Sequence, residues 1–470
     1  MEMNVELSGK KVLVLGLGDS GLSMARWLYR KGAHVRVADS RKQPPHAAQL
    51  ASEMPQVPLD SGPFRDSSFT GIDMIAISPG VALREPRVSE ALNAGVFVAG
   101  DVELFAQAFK SFAEAKVIAV TGSNGKSTVT SMAGAMCRAA GLNTVVAGNI
   151  GLPVLDALTH VEMQVRQGKK APEVFVLELS SFQLETTYSL DASAATVLNL
   201  YQDHLDRYDS MEEYAAVKAR IFSGHGAQVV NREDELSRRL ADPARTVLSF
   251  GLGTPVGNRE WGMVVSGGES WLAQGELKLM PLKELPLAGL HNAANALAAL
   301  ALCRAIGMEY APLLSALKKF AGLPHRVQKI AEIRGVAFYD DSKGTNVGAT
   351  VAALTGMPQK VVLIAGGDGK GQDFSPLKSA IAAHARALVL IGRDADKIAA
   401  AVAGCCAPVL HAAAMEDAVI LSFNQAQRGD AVLLSPACAS FDMFRNYEHR
   451  AEVFVRAVQA LQAQPKVGAN

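Results

Sequence analysis

Five cysteines, Cys137, Cys303, Cys405, Cys406 and Cys438, are spread through 470 residues with no Cys-x-x-Cys spacing. Neither a thiolate metal site nor a disulfide framework is written into such a chain, and reduced cytoplasmic thiols are expected. Net charge of one sign is also missing: 46 basic residues balance 46 acidic ones. No global field draws the protein to nucleic acid or to an anionic membrane, so anions must be held locally. Long apolar runs are lacking too. The Ala-rich stretch from Ala293 to Leu302 is about half of what a bilayer span requires. The amino terminus carries Glu2 and Glu6 and no apolar core, which argues against a secretory signal. A soluble cytoplasmic protein that does not enter membranes is expected. With 49% hydrophobic residues, it has material for roughly two to four packed domains.

What is present is concentrated in one stretch. Val117-Ile-Ala-Val-Thr121 reads as a strand, Gly122-Ser-Asn-Gly125 as a turn and Lys126-Ser-Thr128 as a helix start. The glycines let backbone N–H groups converge on phosphate oxygens. Lys126 adds a cation, the Ser127 hydroxyl can reach Mg²⁺, and the helix N-terminus favours an anion at the same spot. In the general phosphate loop a glycine precedes Gly125 by five residues, where this chain has Val120, so the loop is a compressed variant. A bare Gly-x-x-Gly turn can be purely structural; the lysine and two hydroxyls that follow point to bound phosphate.

Strand-like runs alternate with helical stretches throughout, which predicts an α/β protein with parallel sheets. Three blocks separate. Residues 1–104 read as a Rossmann-like domain, 105–322 as a central P-loop-type ATPase domain with a parallel sheet, and 323–470 as a second Rossmann-like domain. Short strands and turns are expected between residues 225 and 285, where Gly, Pro and Trp intrude. Gly322-Leu-Pro-His-Arg326 has the punctuation of a hinge.

Gly16-x-Gly18-x-x-Gly21 follows a strand, and Asp39 ends the next one. This fits a dinucleotide site, with the acid on a ribose, or any ligand with a diphosphate between sugars or nucleosides. Asp19 would repel a diphosphate unless its carboxylate points away. Glu178 ends another strand, where it could hold Mg²⁺, although taken singly it reads as a surface or capping acid. His204, in Asp203-His-Leu-Asp-Arg-Tyr208, reads by itself as a solvated loop residue, and Lys218 as an ordinary exposed helix lysine. Lys343 and Lys370, in glycine-containing turns, could hold a carboxylate substrate, reach a γ-phosphate, or be solvated surface lysines.

In combination these motifs resemble the Mur ligase family, within it the members that add D-glutamate, along essentially the whole chain. The resemblance is carried by Thr121 to Thr128, Gly148-Asn-Ile-Gly151, Leu177-Glu-Leu-Ser-Ser-Phe-Gln-Leu184, Asp203 to Tyr208, His291-Asn-x-x-Asn295, Leu323-Pro-His-Arg326, Asp341-Ser-Lys-Gly-Thr-Asn346, Gly367-Asp-Gly-Lys370 and Ser435-Pro-Ala-Cys-Ala-Ser-Phe-Asp442. It implies a ligase in cytoplasmic peptidoglycan precursor synthesis whose partners are ATP, UDP-N-acetylmuramoyl-L-alanine and D-glutamate, acting as a monomer through an acyl phosphate. By the same resemblance, Gly122, Ser123, Asn124, Gly125, Lys126, Ser127 and Thr128 would hold ATP, with Asn292, Asn295, Arg326, Asp341 and Lys343 closing on it. Ser127 and Glu178 would hold one Mg²⁺; His204 and a carbamylated Lys218 would hold a second. Lys126, His204, Lys218 and Lys343 would be the catalytic set. Asp19, Ser20, Asp39, Ser40, Arg41, Gly80, Asn149 and His204 would take the UDP substrate, and Thr345, Lys370, Ser440 and Tyr447 the D-glutamate. Two positions depart from the family pattern: Tyr447 stands where some relatives have Phe, and Arg450-Ala451 replaces Arg-Gly.

Three rival readings remain at this level. An NAD-dependent oxidoreductase would use the first glycine motif but leave the Lys126 loop idle. A P-loop switch would consume no amino acid. A related ligase would add another amino acid, or glutamate to folate.

Overall fold

The computed structural model describes residues 6–112, 114–203, 207–287 and 289–463. Its strands form three sheets, one in each expected block. The first contains β1 (Lys11–Leu15), β2 (His34–Asp39), β3 (Leu59–Ser61), β4 (Met74–Ile77) and β5 (Phe97–Ala99). They are all parallel, in the order β3-β2-β1-β4-β5. Strand order reverses between β1 and β4, and the Gly16 to Gly21 turn leaves β1 at that switch point, where α/β sheets bind ligands.

The central sheet has β6 (Lys116–Thr121), β7 (Thr144–Gly148), β8 (Val174–Glu178), β9 (Ala194–Val197), β10 (Ala227–Asn231), β11 (Val247–Phe250), β12 (Glu260–Ser266), β13 (Glu269–Gln274) and β14 (Leu277–Pro281). Its order is β14-β13-β12-β11-β10-β9-β6-β8-β7, parallel from β7 across to β12 and antiparallel through β13 and β14. The short strands expected between residues 225 and 285 are β10 to β14. Register fixes the site. Val120 pairs with Glu178 and Thr121 with Val197, so the phosphate loop, Glu178 and the segment after β9 leave the sheet at one edge.

The third sheet holds β15 (Gln328–Ile333), β16 (Val336–Asp340), β17 (Val361–Gly366), β18 (Ala385–Ile391), β19 (Val409–His411) and β20 (Ala431–Leu434), in the order β15-β16-β20-β17-β18-β19. All neighbours are parallel except β15 and β16. β15 was not anticipated from the sequence. It is an edge strand of mixed polar and apolar residues whose weak alternation hides it, and it turns into β16 through Arg334-Gly335, both at positive φ.

The helix Asp101–Phe109 runs across residues 104 and 105 and joins the first block to the central sheet. Phe105 stacks on Phe109 at 5.2 Å between ring centroids, and both meet Phe175 of β8, at 5.5 and 5.4 Å. No helix among the described residues is long and apolar enough to cross a membrane. Phe175 is fully buried; Phe175→Ala should therefore cost about 3–5 kcal/mol of stability, measured by urea unfolding.

Candidate functional site

The switch point of the first sheet opens into a cavity of about 840 Å³, lined in part by Gly18, Ser20, Arg41, Gly80 and Asn149. Asp19, Asp39 and Ser40 line it as well. Asp39, the acid of the fingerprint, already carries several hydrogen bonds within the protein. Its carboxylate accepts the Leu17 N–H at 2.7 Å and is held by the Arg41 N–H, Nε and Nη2 at 2.8, 2.9 and 2.6 Å. Burial pushes its pKa up, the hydrogen bonds from Arg41 and the Leu17 backbone pull it down, and the net value falls to about 2. It fixes the Arg41 guanidinium at the cavity wall. The Asp19 side chain is 85% exposed and its carboxylate lies 2.8 Å from His46 Nε2.

At the central edge, Gly125 (φ 84°) precedes the helix Lys126–Ala139 and lies against Asn295: a Cβ there would approach Asn295 Oδ1 to 2.5 Å. Lys126 Nζ donates to the carbonyls of Gly122 and Ser123, both at 2.9 Å. Asn124 N–H donates to Asn199 Oδ1 at 2.8 Å, and Ser123 Oγ meets the Tyr201 carbonyl and the Tyr214 hydroxyl. Glu178 and Lys218 overturn the readings made for each alone. Both are 1% exposed. Glu178 ends β8 inside the sheet edge rather than on the surface; Oε1 accepts from Asn149 Nδ2 at 2.8 Å, while Oε2 is buried without a hydrogen-bond partner among the described residues. Lys218 is turned inward by the helix Met211–Ala219, and its Nζ contacts Thr121 Oγ1 at 3.2 Å and the Gly122 carbonyl at 3.1 Å. Burial, then the charge of Lys126, lowers its pKa well below the usual lysine range. Lys126 is itself lowered by burial, against the attraction of Glu178 and Asp203. His204 lies outside the described residues.

The third sheet brings its loops onto this edge. Arg326 Nη2 donates to Ser127 Oγ at 2.9 Å. Asn124 and Asn346 exchange amide hydrogen bonds at 3.0 and 3.1 Å, and Lys370 Nζ stands 3.4 Å from Asp203 Oδ1. A second cavity of about 340 Å³ lies between the domains; Thr128, Asn292, Asn295, Arg326, Asp341 and Lys343 are among its walls. Asp341 accepts from Ser435 Oγ at 2.7 Å, and burial raises its pKa to about 7. Lys343 Nζ sits 3.7 Å from the centre of the Tyr447 ring, its pKa lowered to about 8 by burial and then by Arg326. Thr345 N–H bonds to the Lys343 carbonyl, and Ser440 is buried, its carbonyl accepting from Phe444. Lys343, Thr345, Lys370, Ser440 and Tyr447 thus sit on loops or helix starts at the edge of this sheet that faces the phosphate loop.

Arg450 settles the departure seen in the sequence. Its buried guanidinium donates to Ser342 Oγ and carbonyl and to the Cys438 carbonyl, at 3.0, 2.8 and 3.1 Å, tying the Asp341 loop to the Ser435 loop. Ala451 is a buried residue of the helix Tyr447–Ala463, where alanine favours helix over glycine.

Sequence reasoning gave no role to His291 or Asn346. His291 begins the wall of the second cavity and bonds across to the Ala352 backbone of the third domain. Its ring is cradled by Gly289 and Gly356, where a Cβ would approach it to 2.6 and 2.9 Å, and Nδ1 has no partner among the described residues. The only signal in the sequence was its place beside Asn292. Burial lowers its pKa to about 4. An unfolded histidine takes up its proton near pH 6.5 while the folded one stays neutral, so stability falls as pH drops from 6.5 toward 4. His291→Phe should flatten that part of the stability profile, measured by urea unfolding at stepped pH.

Three family profiles match the chain in order: "Mur ligase MurD-like, N-terminal domain" over residues 10–100, "Mur ligase middle domain" over 120–303 and "Mur ligase, glutamate ligase domain" over 325–438. A UDP-N-acetylmuramoylalanine--D-glutamate ligase of Methylobacillus flagellatus is 57% identical, covering 97% of this chain and 98% of its own. The protein of the same name in Thiobacillus denitrificans is 58% identical over 98% of each. Among solved structures, the UDP-N-acetylmuramate-alanine ligase MurC of Thermotoga maritima shares the fold at 18% identity, with a TM-score of 0.59 over 96% of this chain and 100% of that one. A folylpolyglutamate synthase of Mycobacterium tuberculosis shares it at 15% identity and a TM-score of 0.53, over 78% of this chain and 95% of that one. With relatives of this identity along nearly its whole length, the chain belongs to the Mur ligase family.

Proposed function

We propose that the protein joins D-glutamate to UDP-N-acetylmuramoyl-L-alanine at the expense of ATP, in cytoplasmic peptidoglycan precursor synthesis. Residues 1–104 take the UDP substrate, 105–322 take ATP and 323–470 take the amino acid. The names of the full-length relatives supply the substrates. The contact of Arg326 with Ser127 carries the geometric case, because it seats a third-domain cation on the phosphate loop.

The donor set fits Mg²⁺. A buried carboxylate oxygen without a partner among the described residues, as Glu178 Oε2 is, costs free energy unless a cation or donor meets it. Magnesium commonly takes only one or two protein oxygens and fills the rest of its shell with phosphate and water. Ser127 and Glu178 would hold one ion, and His204 with a carbamylated Lys218 a second; bound there, the ions would neutralise charge on the phosphates. The lowered pKa of Lys218 supports carbamylation, since a neutral amine is the form that adds CO₂.

Lys126 and Arg326 orient the γ-phosphoryl group and offset the charge that develops as it passes to the alanyl carboxylate. The acyl phosphate is then attacked by the D-glutamate amine, with phosphate leaving. Lys370, Thr345, Ser440 and Tyr447 hold the amino acid; Lys343, drawn to a pKa of about 8, can carry or release a proton near neutral pH. Ser20, Ser40, Arg41, Gly80 and Asn149 receive the UDP sugar, with Asp19 and Asp39 shaping the turns. Water must be kept from the acyl phosphate, so the third domain closes about the segment Gly322 to Pro324. An oxidoreductase reading would leave Lys126, Lys218 and Glu178 without a task.

Phosphate release from ATP should require both UDP-N-acetylmuramoyl-L-alanine and D-glutamate; release that ignores either one would sink the ligase reading. Lys126→Ala should lower kcat by roughly 10²–10³-fold. Lys218→Ala should lower it by roughly a hundredfold, and near-normal turnover would exclude a carbamate ligand.

A further inference from the structure

Two residues that follow β9, Asp203 and Arg207, touch the two flanking domains. Asp203 faces the third domain, 3.4 Å from Lys370 Nζ and 3.4 Å from Asn346 Nδ2. Four residues on, Arg207 reaches into the first domain. Its Nη1 donates to the Pro79 carbonyl at 2.9 Å and its Nη2 to the Val81 carbonyl at 3.2 Å. These two carbonyls flank Gly80, in the turn after β4 that lines the 840 Å³ cavity. The same guanidinium grips Glu185, Nε to Oε1 at 3.0 Å and Nη2 to Oε2 at 2.6 Å. Phe182 lies beneath it at 4.4 Å, and the Tyr208 hydroxyl gives Glu185 Oε1 a further bond at 2.7 Å.

The chemistry of this junction is specific. Backbone carbonyls only accept, and a guanidinium is a planar fork of donors that can serve a carboxylate and two carbonyls together. Lysine, a point cation on a flexible stem, cannot reproduce that geometry. Side-chain exposures of 12% for Arg207 and 9% for Glu185 mean that both charges have been taken largely out of water. Such a pair adds little net stability over an apolar one, so its use lies in fixing geometry. Arg84 and Asp209 also pair across this boundary, at 3.2 Å, but that pair is exposed on both sides.

We propose that Arg207 is a positioning residue. It holds the Gly80 turn in register with Glu185 of the central domain, so that a UDP sugar bound in the first domain presents its carboxylate at the phosphate loop. The inference rests on the proposed function for the identity of that ligand. Glu185 aims the arginine, Phe182 keeps it flat, and the two carbonyls are what it positions.

The test uses the full-length protein with Arg207→Lys, Arg207→Ala and, as a control, Arg84→Ala. Titration calorimetry with UDP-N-acetylmuramoyl-L-alanine alone reads the first-domain site without catalysis. Arg207→Lys and Arg207→Ala should weaken binding by roughly tenfold or more, the loss expected of a charged hydrogen bond. KM for the UDP sugar should rise in parallel while KM for ATP stays within about twofold. Arg84→Ala should match the wild type in all three. Equal UDP-sugar affinity in both Arg207 variants overturns the inference, and so does a fall in kcat or in melting temperature without a change in that affinity. If Arg207→Ala does not fold, Arg207→Lys decides by the same criteria. Wild-type protein that does not bind the UDP sugar overturns the proposed function and this inference with it; wild-type binding matched by Arg207→Lys overturns the inference alone.

Discussion

Two ammonium groups, Lys126 and Lys218, share one buried region with a carboxylate that has an oxygen to spare, and the rest of the site answers to that arrangement. Burial disfavours both cations, and each lowers the other's pKa or is lowered by a neighbour of like charge. Glu178 and Asp203 offset part of the cost. The remainder calls for more negative charge than these side chains provide, which is the condition for gripping a polyphosphate. Neutral overall charge on the chain is consistent with this, because the attraction is local and short-ranged.

Arg326 reaches this region through a strained piece of backbone. His325 and Val327, on either side of it, have φ of 61° and 46°, a region that costs a β-branched residue such as valine of the order of 1–3 kcal/mol. The strain is held by specific bonds: His325 Nδ1 lies 2.6 Å from Asp340, and the Val327 N–H meets Asp341 at 3.3 Å. The same short segment joins the central and third domains. A connection that stores strain while aiming a cation at the phosphate loop suits a part that changes conformation as nucleotide arrives.

Backbone groups account for much of the coupling between domains. Arg207 holds carbonyls of the first domain and His291 bonds to the Ala352 backbone across the second cavity, while within the third domain Arg450 holds the Ser342 and Cys438 carbonyls. Contacts of this kind depend on where the chain runs rather than on which side chain a position carries. They were therefore the least visible in the sequence: Arg207 and His291 stood inside recognisable motifs without any role, and Arg450 was visible only as half of an unexplained pair.

The α/β class, the strands β6 and β8 and the short strands after residue 225 were legible because apolar β-branched runs and glycine turns are local patterns. The phosphate loop was legible for the same reason, since its donors lie within a few residues of each other. Asp39 was found as a candidate, but its occupation by Arg41 and Leu17 was not. Lys218 and Glu178 show where local pattern ends. As single residues they looked exposed, and only the pairing of Val120 with Glu178 and the inward turn of the helix Met211–Ala219 bury them side by side with the loop. Sequence alone determined which chemical groups are available and which of them share a turn. Tertiary structure decided which lose their water, because desolvation and the register of distant strands are set by packing across the sheet rather than by spacing along the chain.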